Sequence, residues 1–190
     1  MSVEDIIAEL AKITALSPGL TDRLRTLLIS EVYHPRQVIA SPGHNQHRLW
    51  LVESGIIRSY YPDERGREIT QAFYTANDLI FFWEGYLAQR TDHYLEALHN
   101  VNLYSLRYTD LDTLRDFPET ETLFRYFILQ QRRTELFRNR LLLQSADQRY
   151  RQYRKAYPGI FREVPLRLIA SFLHMTRENL SRLIGRDREG

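Results

Sequence analysis

The 190-residue chain contains no cysteine. Its absence excludes disulfides and iron–sulfur clusters held by thiolates. Long apolar runs are missing too. The densest, LIFFW at residues 79–83, is far short of the roughly 20 residues that span a bilayer as a helix. The amino-terminal MSVEDIIAEL is acidic and amphipathic, whereas a signal peptide needs a basic start and an apolar core. No internal repeat or low-complexity tract appears. His44 and His47 are three apart, and His34, His93 and His99 are scattered. This is not the His-x-His with further Glu and His ligands that a cupin metal site requires. A soluble cytoplasmic protein is expected, with no membrane partner, no metal and no cofactor.

Hydrophobic residues make up 43% of the chain, enough for one large or two small domains with a buried core. The net charge of +2 is unevenly spread. Residues 145–190 hold ten Lys/Arg against five Asp/Glu, and residues 1–144 hold sixteen against nineteen. A basic carboxyl-terminal part on a mildly acidic body suits one polyanion-binding domain joined to something else.

Residues 3–16 pattern as an amphipathic helix through Ile6, Ile7, Leu10, Ile13 and Leu16. Ser17-Pro18-Gly19 breaks it, and Thr21 is the expected cap of a second helix through Leu24, Leu27 and Leu28. From Val32 the period shifts toward two. Strands are expected near 32–33, 36–40, 48–53, 56–61, 67–74, 79–83, 93–99 and 102–108. Turn formers separate them, among them Ser54-Gly55 and Pro62-Asp63-Glu64-Arg65-Gly66. So many short strands suggest an antiparallel roll or barrel. A short helix over 109–117 follows.

From Pro118 to about Leu143 the spacing predicts one long helix, since proline suits the first helical position. Leu123, Phe127, Gln130, Thr134, Phe137 and Leu141 recur at alternating four and three, the seam of a paired helix. Phe124, Ile128, Leu129, Leu136, Leu142 and Leu143 are apolar as well, so other faces are expected to be covered. In residues 145–157 the cations Arg149, Arg151, Arg154 and Lys155 interleave with three tyrosines. Such a stretch can grip a single strand. The reading preferred here packs the tyrosines inward and leaves some of the cations to phosphate or solvent.

Residues 166–184, LRLIASFLHMTRENLSRLI, split at His174-Met175. Leu166, Ile169, Ala170 and Leu173 share one helical face, and Leu180, Leu183 and Ile184 share a face of a second helix. Thr176 stands at the N-cap position, where its hydroxyl can accept a free backbone N–H. The small Ala170 lies where two crossed helices come closest. Two short helices joined by a tight turn read as a helix-turn-helix. His174 stands where glycine is usual, because φ is positive there. At 100° per residue, Glu178, Ser181 and Arg182 oppose the leucines, with Arg177 at the flank. Arg can fork onto guanine, Glu can accept from cytosine N4, and Ser can reach a base or phosphate. The plainer alternative is a solvated ion pair between Glu178 and Arg182.

Thr176, Arg177, Glu178, Leu180, Ser181 and Arg182 resemble the DNA-binding end of the bacterial Crp/Fnr transcription regulators. Residues 49–79 are similar to that family's β-roll, with Gly55 and Gly66 at its turns. The resemblance implies an α+β fold. Its parts are a β-roll sensor domain of the cyclic-nucleotide-binding type (a double-stranded β-helix) with flanking helices over 1–117, a dimerisation helix over 118–144, and a helix-turn-helix over 145–190. It further implies a homodimer, double-stranded DNA and RNA polymerase as partners, and base reading by Arg177, Glu178, Ser181 and Arg182 behind the Thr176 cap. Lack of cysteine sets the chain apart from the iron–sulfur oxygen sensors of the family. A carboxyl end at Gly190 leaves too little chain for the family's complete β-hairpin wing.

The family's cyclic-nucleotide cassette places Gly-Glu and then Arg-Ser/Thr-Ala at the ligand phosphate. Here Asn77-Asp78 stands near the first position and Asp92-His93 near the second, with Arg90-Thr91 two residues early. A carboxylate there repels a phosphate, so cyclic AMP is not expected. Phe81, Phe82, Trp83 and Tyr86 either line an apolar ligand pocket or pack on the long helix, and packing is preferred. The effector and its contacts stay open. The expected function is sequence-specific, palindromic DNA binding, without catalytic residues. The alternatives are a cupin-like metal-dependent enzyme and a sensor acting through protein contacts.

Overall fold

The structure, a computed structural model, describes residues 2–189. Two compact units emerge: residues 1–59 with 73–131, and residues 60–72 with 132–190.

In the first unit, α1 (Val3–Ala11) opens with Asp5 accepting the Ser2 backbone N–H at 2.6 Å. It ends five residues earlier than the periodicity suggests. Ile13 and Thr14, both β-branched, lose side-chain freedom in a helix and extend it poorly. The helix α2 (Pro18–Leu27) is capped by Ser17, whose Oγ accepts from the Leu20 N–H at 3.2 Å. The expected cap, Thr21, instead lies inside the helix and donates to the Ser17 carbonyl at 2.9 Å. Pro18 decides the matter. Its fixed φ and missing N–H suit the first helical position, which makes the residue before it the cap.

Eight strands follow among the described residues: β1 (Ile29–Tyr33), β2 (Val38–Ala40), β3 (Arg48–Ser54), β4 (Ile57–Pro62), β5 (Glu68–Tyr74), β6 (Leu79–Ile80), β7 (Tyr94–Ala97) and β8 (Val101–Arg107), the end of β4 and most of β5 being counted with the second unit. They form two four-stranded sheets, ordered β1-β8-β3-β6 and β2-β7-β4-β5. The first is antiparallel throughout, with Ile29 opposite Ser105 and Trp50 opposite both Ser105 and Ile80. Inward side chains of Trp50, Val52, Ile57, Leu95, Val101 and Leu103 form one core. A second core joins α1 and α2 to Leu49, Leu51, Phe81, Tyr104 and Leu123. Gly55 turns β3 into β4 with φ of 90°, and a Cβ there would stand 2.4 Å from the Asn100 carbonyl oxygen.

The strand expected over 79–83 stops at Ile80. Phe82 becomes the N-cap of a single helical turn, α3 (Trp83–Tyr86). Gly85 permits this turn, because a Cβ would lie 2.2 Å from the Gln46 carbonyl oxygen. The helix α4 (Tyr108–Leu114) leads to α5 (Pro118–Leu142), a 25-residue helix.

The predicted seam of α5 is divided: its polar members Gln130 and Thr134 are exposed, and its apolar members are covered by the chain. Leu123 belongs to the core, Phe127 packs against it, and Leu141 is fully buried. Phe137 stacks edge-on against Tyr157 at 5.8 Å. Spacing reveals an apolar face but not what covers it, and here the chain covers it itself. The exposed apolar stripe is a different one, Tyr126, Leu129 and Leu136, continued by Leu143 just past the helix end, the leucines recurring every seven residues.

In the second unit, α6 (Ala146–Ala156) carries a Ser145 and Gln148 capping box. Tyr157-Pro158 starts another helix, α7 (Pro158–Glu163), rather than leading straight into the next element. Pro158 is again at the first helical position. Then come α8 (Leu166–Phe172) and α9 (Arg177–Glu189).

Candidate nucleic-acid interface

The interface is built on α8, the turn and α9. Leu168, Ile169, Ala170, Phe172 and Leu173 are buried, as are Leu180 and Leu183, while Leu166 and Ile184 are half-buried. Leu168 and Phe172 extend the expected face around α8, because α6 and α7 cover a second side of this short helix. Phe172 lies 4.6 Å from the Tyr153 ring. Tyr150 and Tyr153 are both buried and pack against Phe161, so two of the three interleaved tyrosines pack inward, while Tyr157 is exposed.

The turn is held by its backbone. Leu173 N–H donates to the Ile169 carbonyl and Met175 N–H to the Ala170 carbonyl, at 2.9 and 3.0 Å. His174 has φ of 51°, the left-handed conformation that usually selects glycine. Partial desolvation lowers the pKa of its imidazole, and the nearby Arg138 and Arg149 guanidiniums add to the effect. Thr176 caps α9: its Oγ1 accepts from the Asn179 N–H at 3.2 Å, and its carbonyl accepts from Leu180 N–H at 3.1 Å.

Arg177, Glu178, Ser181 and Arg182 are all exposed on α9. The four expected base readers thus share the side away from Leu180 and Leu183. Among the described residues no ion pair joins Glu178 to Arg182. Arg182 instead donates from Nη2 to Asn179 Oδ1 at 3.0 Å. Sequence reading missed this contact, although the i,i+3 spacing of an amide and a guanidinium was a usable signal.

Two of the four cations in residues 145–157 are structural. Arg149 donates to the Gln144 carbonyl at 3.0 Å and to the His174 carbonyl at 3.3 Å, bracing the turn. Arg154 pairs with Asp187 at 2.5 Å, and Tyr150 donates to the same carboxylate at 3.1 Å. Together they anchor the far end of α9 to α6. Arg151 pairs with Asp147 at 2.9 Å, a solvated contact. Lys155, Arg162, Arg167 and Arg186 are exposed. Also in this unit, Ser171 on α8 bridges β5. Its Oγ accepts from Thr70 N–H at 2.9 Å and donates to the Glu68 carbonyl at 3.0 Å.

The cassette region, in the first unit, is filled by the protein's own groups. Tyr108 Oη accepts the Phe82 N–H at 3.0 Å and donates to the Phe82 carbonyl at 3.1 Å. Burial pushes that phenol up to about 12, so it stays neutral and serves as both donor and acceptor. Phe81 packs against Trp83, Tyr86, Tyr108 and Phe124 with ring centroids 5.0 to 6.0 Å apart. Of the four aromatics, Phe81 thus meets the long helix, through Phe124; Phe82 packs edge-on against Trp50 at 6.5 Å, and Trp83 and Tyr86 keep part of their surface exposed. Asp78 is raised by burial, and it closes its own turn by accepting from the Thr75 N–H at 2.7 Å. Thr91 is buried, and its Oγ1 accepts from the His93 N–H at 3.2 Å.

Among the described residues no group of three or more His, Asp or Glu is placed to hold a metal. His44 Nδ1 contacts Ser41 and Pro42 at 3.2 Å, and His34 contacts Asn100 at 3.2 Å. Nor is any described helix long and apolar enough to cross a membrane.

This arrangement, a two-sheet β-roll, a long helix and a helix-turn-helix, is the fold of the Crp/Fnr transcription regulators. FixK2 from Bradyrhizobium japonicum superposes with a TM-score of 0.71 at 17% identity, over 84% of each chain. A putative Crp/Fnr regulator from Eubacterium rectale gives 0.69 at 18%, over 91% of this chain and 84% of that one. TTHA1359, a Crp/Fnr regulator from Thermus thermophilus, gives 0.64 at 19%, over 85% and 87%. No protein-family model and no curated protein matches the chain by sequence. Several of the structural neighbours are described as transcriptional regulators.

Proposed function

We propose that this protein is a sequence-specific, DNA-binding transcription regulator of the Crp/Fnr type. It reads a palindromic site as a homodimer and does not answer to cyclic AMP. One observation carries the reading. The face of α9 holding Arg177, Glu178, Ser181 and Arg182 is open, behind a Thr176 cap and over a leucine face that is buried. Such a helix can lie in a major groove with Arg forked onto guanine and Glu accepting from cytosine.

On this reading residues 1–117 are the sensor, 118–144 the dimerisation helix and 145–190 the DNA-binding domain. The dimer seam is the exposed stripe of Tyr126, Leu129, Leu136 and Leu143. Its seven-residue recurrence suits a paired helix. A two-fold dimer sets two recognition helices about 34 Å apart on the duplex. RNA polymerase is the machinery such a regulator acts on, which sets it in the cytoplasm. Against cyclic AMP stands the Asp92 carboxylate, near the sequence position of the family's Arg-Ser/Thr step, beside a Thr91 that is buried.

Selection of bound fragments from a random DNA pool tests the function. Wild type is expected to enrich a two-fold symmetric sequence. Arg182→Ala is expected to lose about 1–3 kcal/mol of discrimination at one base pair per half-site. An unchanged ratio of preferred-site to random-DNA affinity in Arg182→Ala would remove that residue from the reading face.

A further inference from the structure

We infer that Asn179 is a positioning residue for base reading: it orients Arg182 before DNA arrives. The inference rests on the proposed base-reading role of Arg182 and adds a residue to it.

Asn179 is fixed at both ends. Its backbone N–H is held by the Thr176 cap at 3.2 Å, and its Oδ1 accepts from Arg182 Nη2 at 3.0 Å. It is half-buried, whereas Arg182 is exposed. An exposed arginine samples many rotamers, and ordering it on binding costs affinity. A short, half-buried amide one turn earlier narrows that search. The guanidinium carries five N–H donors in a planar fork. One bond to Asn179 leaves the donors that a guanine O6 and N7 pair requires.

The same contact frees Glu178. A helical Glu and Arg four residues apart tend to pair, and a paired carboxylate would have to be released before it could accept from cytosine. With Arg182 held by a neutral amide, the Glu178 carboxylate stays available, and the two readers do not quench one another.

The test uses the full-length protein and two duplexes, the selected site and the same site changed at the base pair that Arg182 discriminates. Asn179→Ala is expected to lower the preference about two- to tenfold. Random-DNA affinity and the thermal midpoint should stay as in wild type. Asn179→Asp keeps an acceptor and is expected to restore the preference. In an Arg182→Ala background, Asn179→Ala should cost nothing further. A full preference in Asn179→Ala would overturn the inference while leaving the base-reading role intact. An equal loss in the Arg182→Ala background would overturn it too, showing that Asn179 acts on DNA by itself. If Arg182→Ala alone left the preference unchanged, the base-reading role would fall and the inference with it.

Discussion

His174 sits where the backbone is most demanding in the helix-turn-helix, at φ of 51°. A side chain in this region costs about 1–2 kcal/mol, though glycine gives some of that back as unfolded-chain entropy. His174→Gly is therefore expected to raise stability by several tenths to about 1 kcal/mol. It should also flatten the acid limb of the stability curve. The imidazole is lowered from its ordinary value of 6.5 in the folded chain. As pH falls below that value, the unfolded chain binds the proton first and stability declines. Thermal midpoints of wild type and His174→Gly at about pH 7.5 and 5.5 should converge on the alkaline side and part on the acid side, apart from the constant backbone gain. Glu31 works in the opposite direction. Burial alone would raise it, but hydrogen bonds from Ser105, Tyr33 and Arg48 outweigh burial and hold it below 4.5. Its stabilisation is present above 4.5 and lost as pH falls through the lowered value. Ser105→Ala should cost about 1–3 kcal/mol in denaturant titrations at neutral pH, and less once Glu31 is protonated.

Among the elements, α5 divides its surface between two duties. Leu123, Phe127, Phe137 and Leu141 are covered by the chain itself, and Leu129 and Leu136, with Leu143 just past the helix end, are left outside. Leu129→Glu with Leu136→Glu is expected to leave a folded monomer, because each change removes about 1.5–3 kcal/mol of apolar burial from both sides of a symmetric seam. Sedimentation velocity reads the outcome. A dimer persisting in the double variant would move the seam elsewhere. The edge strand β5 shows a second device at this scale. An edge strand presents unpaired backbone groups, and Ser171 satisfies two of them at once, at Thr70 and Glu68. Ser171→Ala should cost about 1–3 kcal/mol, since the Thr70 amide is left buried without its acceptor. Hydrogen exchange should speed most at Thr70.

For the whole molecule, the excess of cations over residues 145–190 predicts salt-sensitive DNA binding. Affinity should fall linearly in log–log form, by roughly 10³-fold or more between about 50 and 200 mM salt if six or more phosphates are contacted per dimer. Arg149 and Arg154 should contribute little to that slope, being spent on carbonyls and on Asp187. Lys155, Arg162, Arg167 and Arg186 are the candidates for it. Cyclic AMP should give no binding heat and no change in operator affinity.

The features legible in the sequence were those fixed by neighbours a turn or a strand apart. The Thr176 cap, the leucines of α9, the open face holding Arg177, Glu178, Ser181 and Arg182, and most strand positions all follow from local periodicity and capping chemistry. So does the left-handed turn at His174. What required tertiary structure was the choice among equals. Pattern alone could not say which apolar stripe of α5 the chain would cover, because burial depends on elements distant in sequence. Nor could it assign Arg149 to a turn carbonyl, Arg154 to Asp187, or Tyr108 to the Phe82 backbone. Those partners lie 25 to 33 residues away. A charge pattern records that a cation exists, and only the folded chain decides whether its partner is the protein or something outside it.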